Sequence, residues 1–123
     1  YIRQLEQVLI CTLSRFEIDG FRVKGKTGVW VGAKSSPLKI ASIGVKVDAR
    51  GISRHGFALN VDPQMDYWTG IVPCGLSDVT MTSMSDLIKE RVSISQVIKE
   101  IETCFAEVFQ CKLIDAESTN KEI

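Results

Sequence analysis

The chain has 123 residues, of which 45% are hydrophobic and 24% charged, and its 15 basic side chains balance its 15 acidic ones. This length and composition are typical of one globular domain or part of one, with enough apolar residues for a core. Zero net charge gives no overall field that attracts nucleic acid or an anionic membrane, and no apolar run approaches the roughly 18 residues of a membrane helix. We therefore expect neither as a partner.

The first predicted element is an amphipathic helix over residues 1–16, ended by a turn at Asp19-Gly20. Its apolar residues recur at three- and four-residue spacing: Ile2, Leu5, Val8, Leu9, Leu13 and Phe16. The sequence opens on Tyr1, already inside this pattern, and not on a methionine. We therefore expect it to be a piece of a longer chain.

Strands follow this helix. Residues 21–32, FRVKGKTGVWVG, suggest two short strands around a turn at Gly25-Lys26. Residues 38–61 are the most strand-like part of the chain, with a hairpin turn expected at Asp48 to Gly51. The β-branched residues that support the first arm of this hairpin are Ile40, Ile43, Val45 and Val47.

A second helix is predicted to begin at Ser93, with Ser93 and Gln96 forming a capping box. Its apolar stripe consists of Ile94, Val97, Ile98, Ile101, Phe105, Val108 and Phe109. Residues 62–68 are expected to be irregular, and residues 116–123 to fray. The sum is one α+β domain over residues 1–123, in which a mainly antiparallel sheet packs with an N-terminal and a C-terminal helix.

The four cysteines are an even number, so a disulfide framework has to be weighed. Cys11, Cys104 and Cys111 all fall inside amphipathic helical patterns, where reduced buried thiols are common. No C-x-x-C pair or Cys/His cluster indicates zinc. We therefore expect these three cysteines to be reduced and the compartment to be reducing.

Cys74 differs from the others because it lies in a turn, between Pro73 and Gly75. Such a frame exposes a residue between two elements, which suits a reactive nucleophile, although a lone cysteine is more often structural. A thiolate needs a positive neighbour, and Lys39 at the start of the most apolar strand is a candidate. Its alternative role is a solvated charge at a sheet edge.

Two further polar residues lie in the second arm of the hairpin. His55, the only histidine, suits a base, a hydrogen-bond anchor or a turn residue, and Asn60 suits a buried amide that holds a loop. The sequence contains no G-x-G-x-x-G, no G-x-x-x-x-G-K-[ST] and no G-x-S-x-G. Dinucleotide, P-loop and serine-hydrolase chemistry are therefore not indicated.

Four separated motifs, in this order, resemble the lipoyl(octanoyl) transferase family of the lipoate/biotin protein ligase superfamily: TGVWV (27–31), KIASIG (39–44), HGFALNV (55–61) and PCG (73–75). The resemblance covers most of the chain and implies part of a lipoate/biotin ligase-like fold. A family motif of the R-G-G-x-x-T-x-H-G type is absent, because the sequence starts after it. We therefore expect the C-terminal portion of an octanoyltransferase-like catalytic domain.

The resemblance also implies roles for individual residues. Cys74 matches the acyl-thioester nucleophile of the family, and Lys39 matches the lysine that activates this cysteine and relays protons. His55 and Asn60 match positions near the site, and we expect both Lys39 and His55 to approach Cys74. The remaining matches line the acyl substrate in the family: Ser42, Ile43, Gly44, Gly56, Phe57 and Ala58.

The activity implied is transfer of an octanoyl group from octanoyl-acyl carrier protein to a lysine of a lipoyl domain, without metal or cofactor. The acceptors implied are the lipoyl domains of 2-oxoacid dehydrogenases and the glycine cleavage H protein. Two alternatives stay open: an ATP-dependent lipoate or biotin ligase, for which a cysteine in PCG is not needed, and a truncated module that only binds these proteins. The expected location is the bacterial cytoplasm, with a plastid or mitochondrial interior as the alternative.

Overall fold

The computed structural model describes residues 1–63 and 79–115. Helix α1 spans Ile2–Ser14 and buries one face, as its apolar spacing predicts. It ends earlier than expected, in a turn where Glu17 adopts a φ of 60° and the Ile18 amide donates back to the Leu13 carbonyl. A Cβ on Gly20 would lie 2.9 Å from the side chain of Leu13, so glycine lets the chain pass close under the helix.

Four antiparallel strands form one sheet in the order β1-β2-β3-β4. Their bounds are Phe21–Val23 for β1, Lys26–Val31 for β2, Leu38–Val47 for β3 and Ser53–Leu59 for β4. The predicted hairpins are confirmed. In the β3–β4 turn, Asp48 Oδ1 accepts the amides of Arg50 at 2.8 Å and Ile52 at 3.1 Å, which fixes the unbroken register of these two strands.

One further segment, for which the sequence predicted no structure, pairs with β3 past the point where β4 ends. Met81 forms an isolated parallel bridge with Lys39, next to β3 and past the end of β4. The short helix α2, Met84–Ile88, follows and was not predicted, because five residues carry too little periodicity. The hydroxyl of Ser83 caps it by accepting the Asp86 amide at 3.1 Å.

Helix α3 spans Ile94–Phe109 and packs mainly on α1. Ser93 is its N-cap residue, as predicted, but the expected capping box with Gln96 is wrong. The Ser93 hydroxyl makes no hydrogen bond to the helix backbone and instead lies 3.0 Å from the hydroxyl of Ser95. A nearby hydroxyl therefore competes with the helix end for this side chain.

The expectation of reduced cysteines is wrong for two of them. The packing of α3 on α1 brings Cys11 and Cys104 to a Cα–Cα distance of 5.9 Å, and they form a disulfide. Helical periodicity shows which residues face inward but not which helix lies opposite, so it gave no sign of this pair. Cys111 is free, but it is exposed, not buried. The cysteines therefore no longer favour a reducing compartment.

The core lies between α1, the sheet and the first turns of α2 and α3. Its buried cluster consists of Leu9, Leu13, Ile18, Val29, Val31, Ile40, Ala41, Met84 and Val97. The predicted α+β class, with a mainly antiparallel sheet and a helix towards each end of the chain, is confirmed. Within residues 1–63 and 79–115, no helix has the length and apolar character required to cross a membrane.

Candidate active site

Lys39 is buried inside the sheet, with only 4% of its surface exposed. Its amide donates to the Thr80 carbonyl and its carbonyl accepts from the Thr82 amide, both at 2.9 Å, while Trp30 pairs with it from β2. The alternative of a solvated edge charge is therefore wrong. From the sequence alone, the first residues of β3 could lie at an exposed end of the sheet. In the structure, residues 80–82 from a distant part of the chain pair with them and cover them.

The side chain of Lys39 lies over Gly28 and beside the ring of Trp30. The ammonium nitrogen is 5.3 Å from the ring centroid, within the range of a cation–π interaction. A Cβ on Gly28 would lie 3.0 Å from Lys39 Cε and 2.7 Å from the Ala41 carbonyl oxygen. Gly28 therefore leaves the space through which the lysine stem passes.

We expect Gly28→Ala to lower the free energy of unfolding by about 2 kcal/mol, because its φ of +131° strains any side chain and the new methyl group meets backbone. Urea unfolding of the full-length protein measures the loss. The matched control is Gly44→Ala, whose Cβ would meet nothing within 4 Å. A loss in the control as large as that of Gly28→Ala would show that the close approach at Gly28 is not its cause.

A buried carboxylate on α1 holds the strand that carries Gly28. Glu6 is 1% exposed; its Oε1 accepts the Gly28 amide at 3.2 Å and its Oε2 accepts Arg22 Nε at 3.0 Å. Sequence analysis missed this residue. The available signal was a glutamate four residues after Ile2 and three before Leu9, inside the apolar stripe of the helix.

One face of the β3–β4 hairpin forms a shallow groove (residues 42–46 and 55–58) of about 470 Å³. Ser42 pairs with Ala58 and Gly44 with Gly56, so small or absent side chains make its floor. The structure brings together in this groove seven of the predicted site residues: Ser42, Ile43, Gly44, His55, Gly56, Phe57 and Ala58. Lys39 and Asn60 are not among the residues that line it.

His55 and Asn60 occupy different environments. His55 is exposed and has a φ of 67°, a left-handed conformation that histidine adopts more readily than most residues. Asn60 is half-buried, and its amide side chain donates to the Thr82 carbonyl at 3.1 Å while its own carbonyl accepts the Met84 amide at 2.9 Å. Asn60 thus joins the end of β4 to the segment that covers Lys39, as expected of an amide that holds a loop.

Cys74 and its neighbours Pro73 and Gly75 lie outside the described residues, so their predicted roles stay predictions, as does the approach of Lys39 and His55 to the thiol. The described chain resumes at Val79, five residues after Cys74 in the sequence. The next residue, Thr80, is the one whose carbonyl binds the amide of Lys39.

Residues 1–106 match the family model described as the lipoyl protein ligase A/B catalytic domain. An octanoyltransferase of Nostoc punctiforme is 42% identical over 117 residues, which are 95% of this chain and 48% of that protein. An octanoyltransferase of Koribacter versatilis is 39% identical over 120 residues, 98% of this chain and 47% of that protein. The chain therefore spans about half the length of the curated relatives it matches.

Solved structures show the same fold at low sequence identity. A bi-partite lipoate protein ligase from Thermoplasma acidophilum superposes with a TM-score of 0.65 at 18% identity, over 98% of this chain and 51% of that one. A lipoate-protein ligase A bound with ATP gives a TM-score of 0.61 at 17% identity, over 98% and 52%. The expected ligase-like fold is confirmed.

Proposed function

The chain belongs to the lipoyl protein ligase A/B catalytic domain family, and from this we propose that the full-length protein is an octanoyltransferase of lipoate biosynthesis. Its donor is octanoyl-acyl carrier protein, and its acceptor is a lysine of a lipoyl domain. The acceptors are those of 2-oxoacid dehydrogenases and the glycine cleavage H protein. A cytoplasmic or organellar location stays a prediction that rests on the family alone.

The proposed reaction exchanges one thioester for another and then forms an amide. The Cys74 thiolate attacks the octanoyl carbonyl, so that a new C–S bond forms as the bond to the carrier sulfur breaks. The amine of the acceptor lysine then attacks the acyl-enzyme, forming the C–N bond and releasing the Cys74 thiolate. The amide product is more stable than either thioester, which drives the second step.

In this mechanism Lys39 carries the proton. In the resting enzyme Lys39 stands as the ammonium and Cys74 as the thiolate, which the positive charge stabilises. The ammonium then protonates the departing carrier thiolate and becomes neutral. In the second step the neutral amine takes the proton that the acceptor amine loses, which restores the starting pair.

The observation that carries the proposal is the burial of Lys39 in a strand whose backbone binds residues 80–82, which follow Cys74 in the chain. A lysine at 4% exposure costs desolvation free energy, which a protein of this size tolerates where the amine has a function. The hydrogen bonds of Lys39 with Thr80 and Thr82 tie the catalytic candidate to that segment. The segment that resumes five residues after Cys74 thus meets Lys39 at one point of the sheet, which supports Cys74 as the partner of this lysine.

The groove supports the proposal on the substrate side. Its floor of Ser42, Gly44, Gly56 and Ala58 leaves an open channel along the sheet, which suits an unbranched acyl chain. Each CH₂ group removed from water there contributes about 0.8 kcal/mol to binding. A serine, an alanine and two glycines thus contact the acyl chain along its length and leave the channel open for it.

Intact-mass spectrometry of the full-length protein after incubation with octanoyl-acyl carrier protein tests the function. We expect a gain of one octanoyl group, which peptide mapping assigns to Cys74. The variant Cys74→Ser is expected to lose the label, and the matched control Cys111→Ser, which removes a free and exposed thiol, to keep it. A label on Cys111 would contradict the mechanism.

The same incubation separates the alternatives. Formation of an adenylate that depends on ATP would identify a ligase instead of a transferase. No covalent change with either donor system would identify a module that only binds its partners.

A further inference from the structure

A tryptophan ring lies under the amine of Lys39 inside the sheet. Trp30 is buried at 3% exposure and stands directly opposite Lys39 in the register of β2 and β3, with the lysine nitrogen 5.3 Å from the ring centroid. A Cβ on Gly28 would lie 3.4 Å from Trp30 Cη2 and 3.0 Å from Lys39 Cε, so both side chains cross the space above this glycine. The ring and the end of the lysine stem therefore meet where little water reaches, and there a cation–π interaction is strongest.

Among residues 1–63 and 79–115, no carboxylate lies within ion-pair distance of this amine. The ion pairs in those ranges are made by other cations: Arg3, Arg15, Arg22, Arg54 and Arg91. The carboxylate of Glu6, which reaches the Gly28 amide from α1, is also engaged by Arg3 and Arg22. Within the described part of the chain, the ring of Trp30 is thus the group that compensates a Lys39 ammonium for the water it loses on burial.

We infer that Trp30 is a positioning residue that acts through Lys39: its ring holds the lysine as the ammonium of the resting pair. This inference rests on the proposed function, which takes Cys74 as the thiolate. A carboxylate in the same place would also hold the ammonium, but its negative charge would oppose a thiolate beside it. A neutral ring stabilises the cation without that repulsion and accepts no proton from it. The ring therefore leaves the positive charge available to Cys74 and the proton available to the substrates.

Alkylation of Cys74 by iodoacetamide in the full-length protein at neutral pH, followed by peptide mapping, measures the thiolate that the resting pair holds. Trp30→Leu removes the ring and is expected to slow this alkylation roughly fivefold, because the ammonium loses its cation–π partner. Trp30→Phe keeps a ring face and is expected to stay within about twofold of the wild type. Both variants lose buried volume, so a role in packing alone predicts equal rates for the two.

A double-mutant cycle ties the effect of the ring to Lys39. In the Lys39→Met background, Trp30→Leu and Trp30→Phe are expected to give equal alkylation rates, because no cation is left for the ring to hold. The matched control is Phe21→Leu, which removes a ring from the residue of β1 that pairs with Trp30 and should leave the alkylation of Cys74 unchanged. Urea unfolding shows which variants fold, and Trp30→Met is the second ringless variant if Trp30→Leu does not.

Equal alkylation rates in the ringless and the Trp30→Phe variants would overturn the inference. A difference between them that persists in Lys39→Met, or an equal loss in Phe21→Leu, would overturn it as well. Cys74 alkylation in the wild type no faster than that of Cys111, a free and exposed thiol, would overturn both the resting ion pair and the role of the ring.

Octanoyl transfer measured on the same full-length proteins separates this inference from the proposed function. If alkylation follows the ring and depends on Lys39 but no octanoyl group is transferred, the role of Trp30 holds and the proposed function fails. If the wild type transfers the octanoyl group and the ring makes no difference to alkylation, the proposed function holds and the role of Trp30 is overturned.

Discussion

Replacement of Lys39 by Ala is expected to slow octanoyl transfer by about two to four orders of magnitude, the usual contribution of a positioned acid–base group. Binding of the acyl carrier protein should change much less, because the role of Lys39 is proton transfer at the thiol and at the acceptor amine. Lys39→Arg is expected to rescue little, since a guanidinium stabilises a thiolate but does not give up its proton near neutral pH. Single-turnover transfer in the full-length protein measures the effect.

The burial of Lys39 requires a control for stability. Because Lys39 is only 4% exposed, the alanine variant also loses packing. Lys39→Met keeps a long unbranched side chain and removes only the charged, basic group. We expect it to fold as well as the wild type and to transfer as slowly as Lys39→Ala. Wild-type rates in Lys39→Met would show that Lys39 is not the base.

Replacement of Glu6 by Ala is expected to lower the free energy of unfolding by about 3 kcal/mol, the lower end of the range for breaking a buried ion pair. The lower end applies because the Arg22 side chain is 32% exposed and can turn towards water. The Gly28 amide, in contrast, loses its acceptor inside the protein. Urea denaturation of the full-length protein measures the change.

The variant Glu6→Gln separates the two contributions. Its amide oxygen still accepts the Gly28 N–H, while the charge opposite Arg22 is lost, so we expect a smaller loss of about 1 to 2 kcal/mol. Equal losses in the Ala and Gln variants would show that the ion pair alone matters. A loss near zero in Glu6→Ala would contradict the role of this carboxylate in fixing the strand of Gly28.

Local patterns predicted the elements whose physics is local. The three- and four-residue spacing from Ile2 to Leu13 gave α1, and the β-branched run closed by Asp48 gave the β3–β4 hairpin, because periodicity and turn chemistry act within a few residues. The ends were less predictable. In the turn after α1, Glu17 adopts a left-handed conformation, which no residue type in that stretch demands.

What the sequence left undetermined depends on contacts between distant segments. The burial of Lys39 comes from Thr80 and Thr82, and the Cys11–Cys104 bond comes from the packing of α3 on α1. Glu6 was hidden for a similar reason, because its partners Arg22 and Gly28 lie on strands that follow the helix. The groove was the exception: the resemblance named its residues, and the antiparallel register brought them together.

The bond between α1 and α3 closes a covalent ring that contains most of the chain, from residue 11 to residue 104. A protease that cuts one peptide bond inside this ring opens it but does not release a fragment. Lys39 would then stay tethered to Thr80 and Thr82 even if the backbone were broken anywhere between them. A nicked molecule therefore keeps both halves of the candidate site at a high effective concentration, and only a reductant lets them diffuse apart.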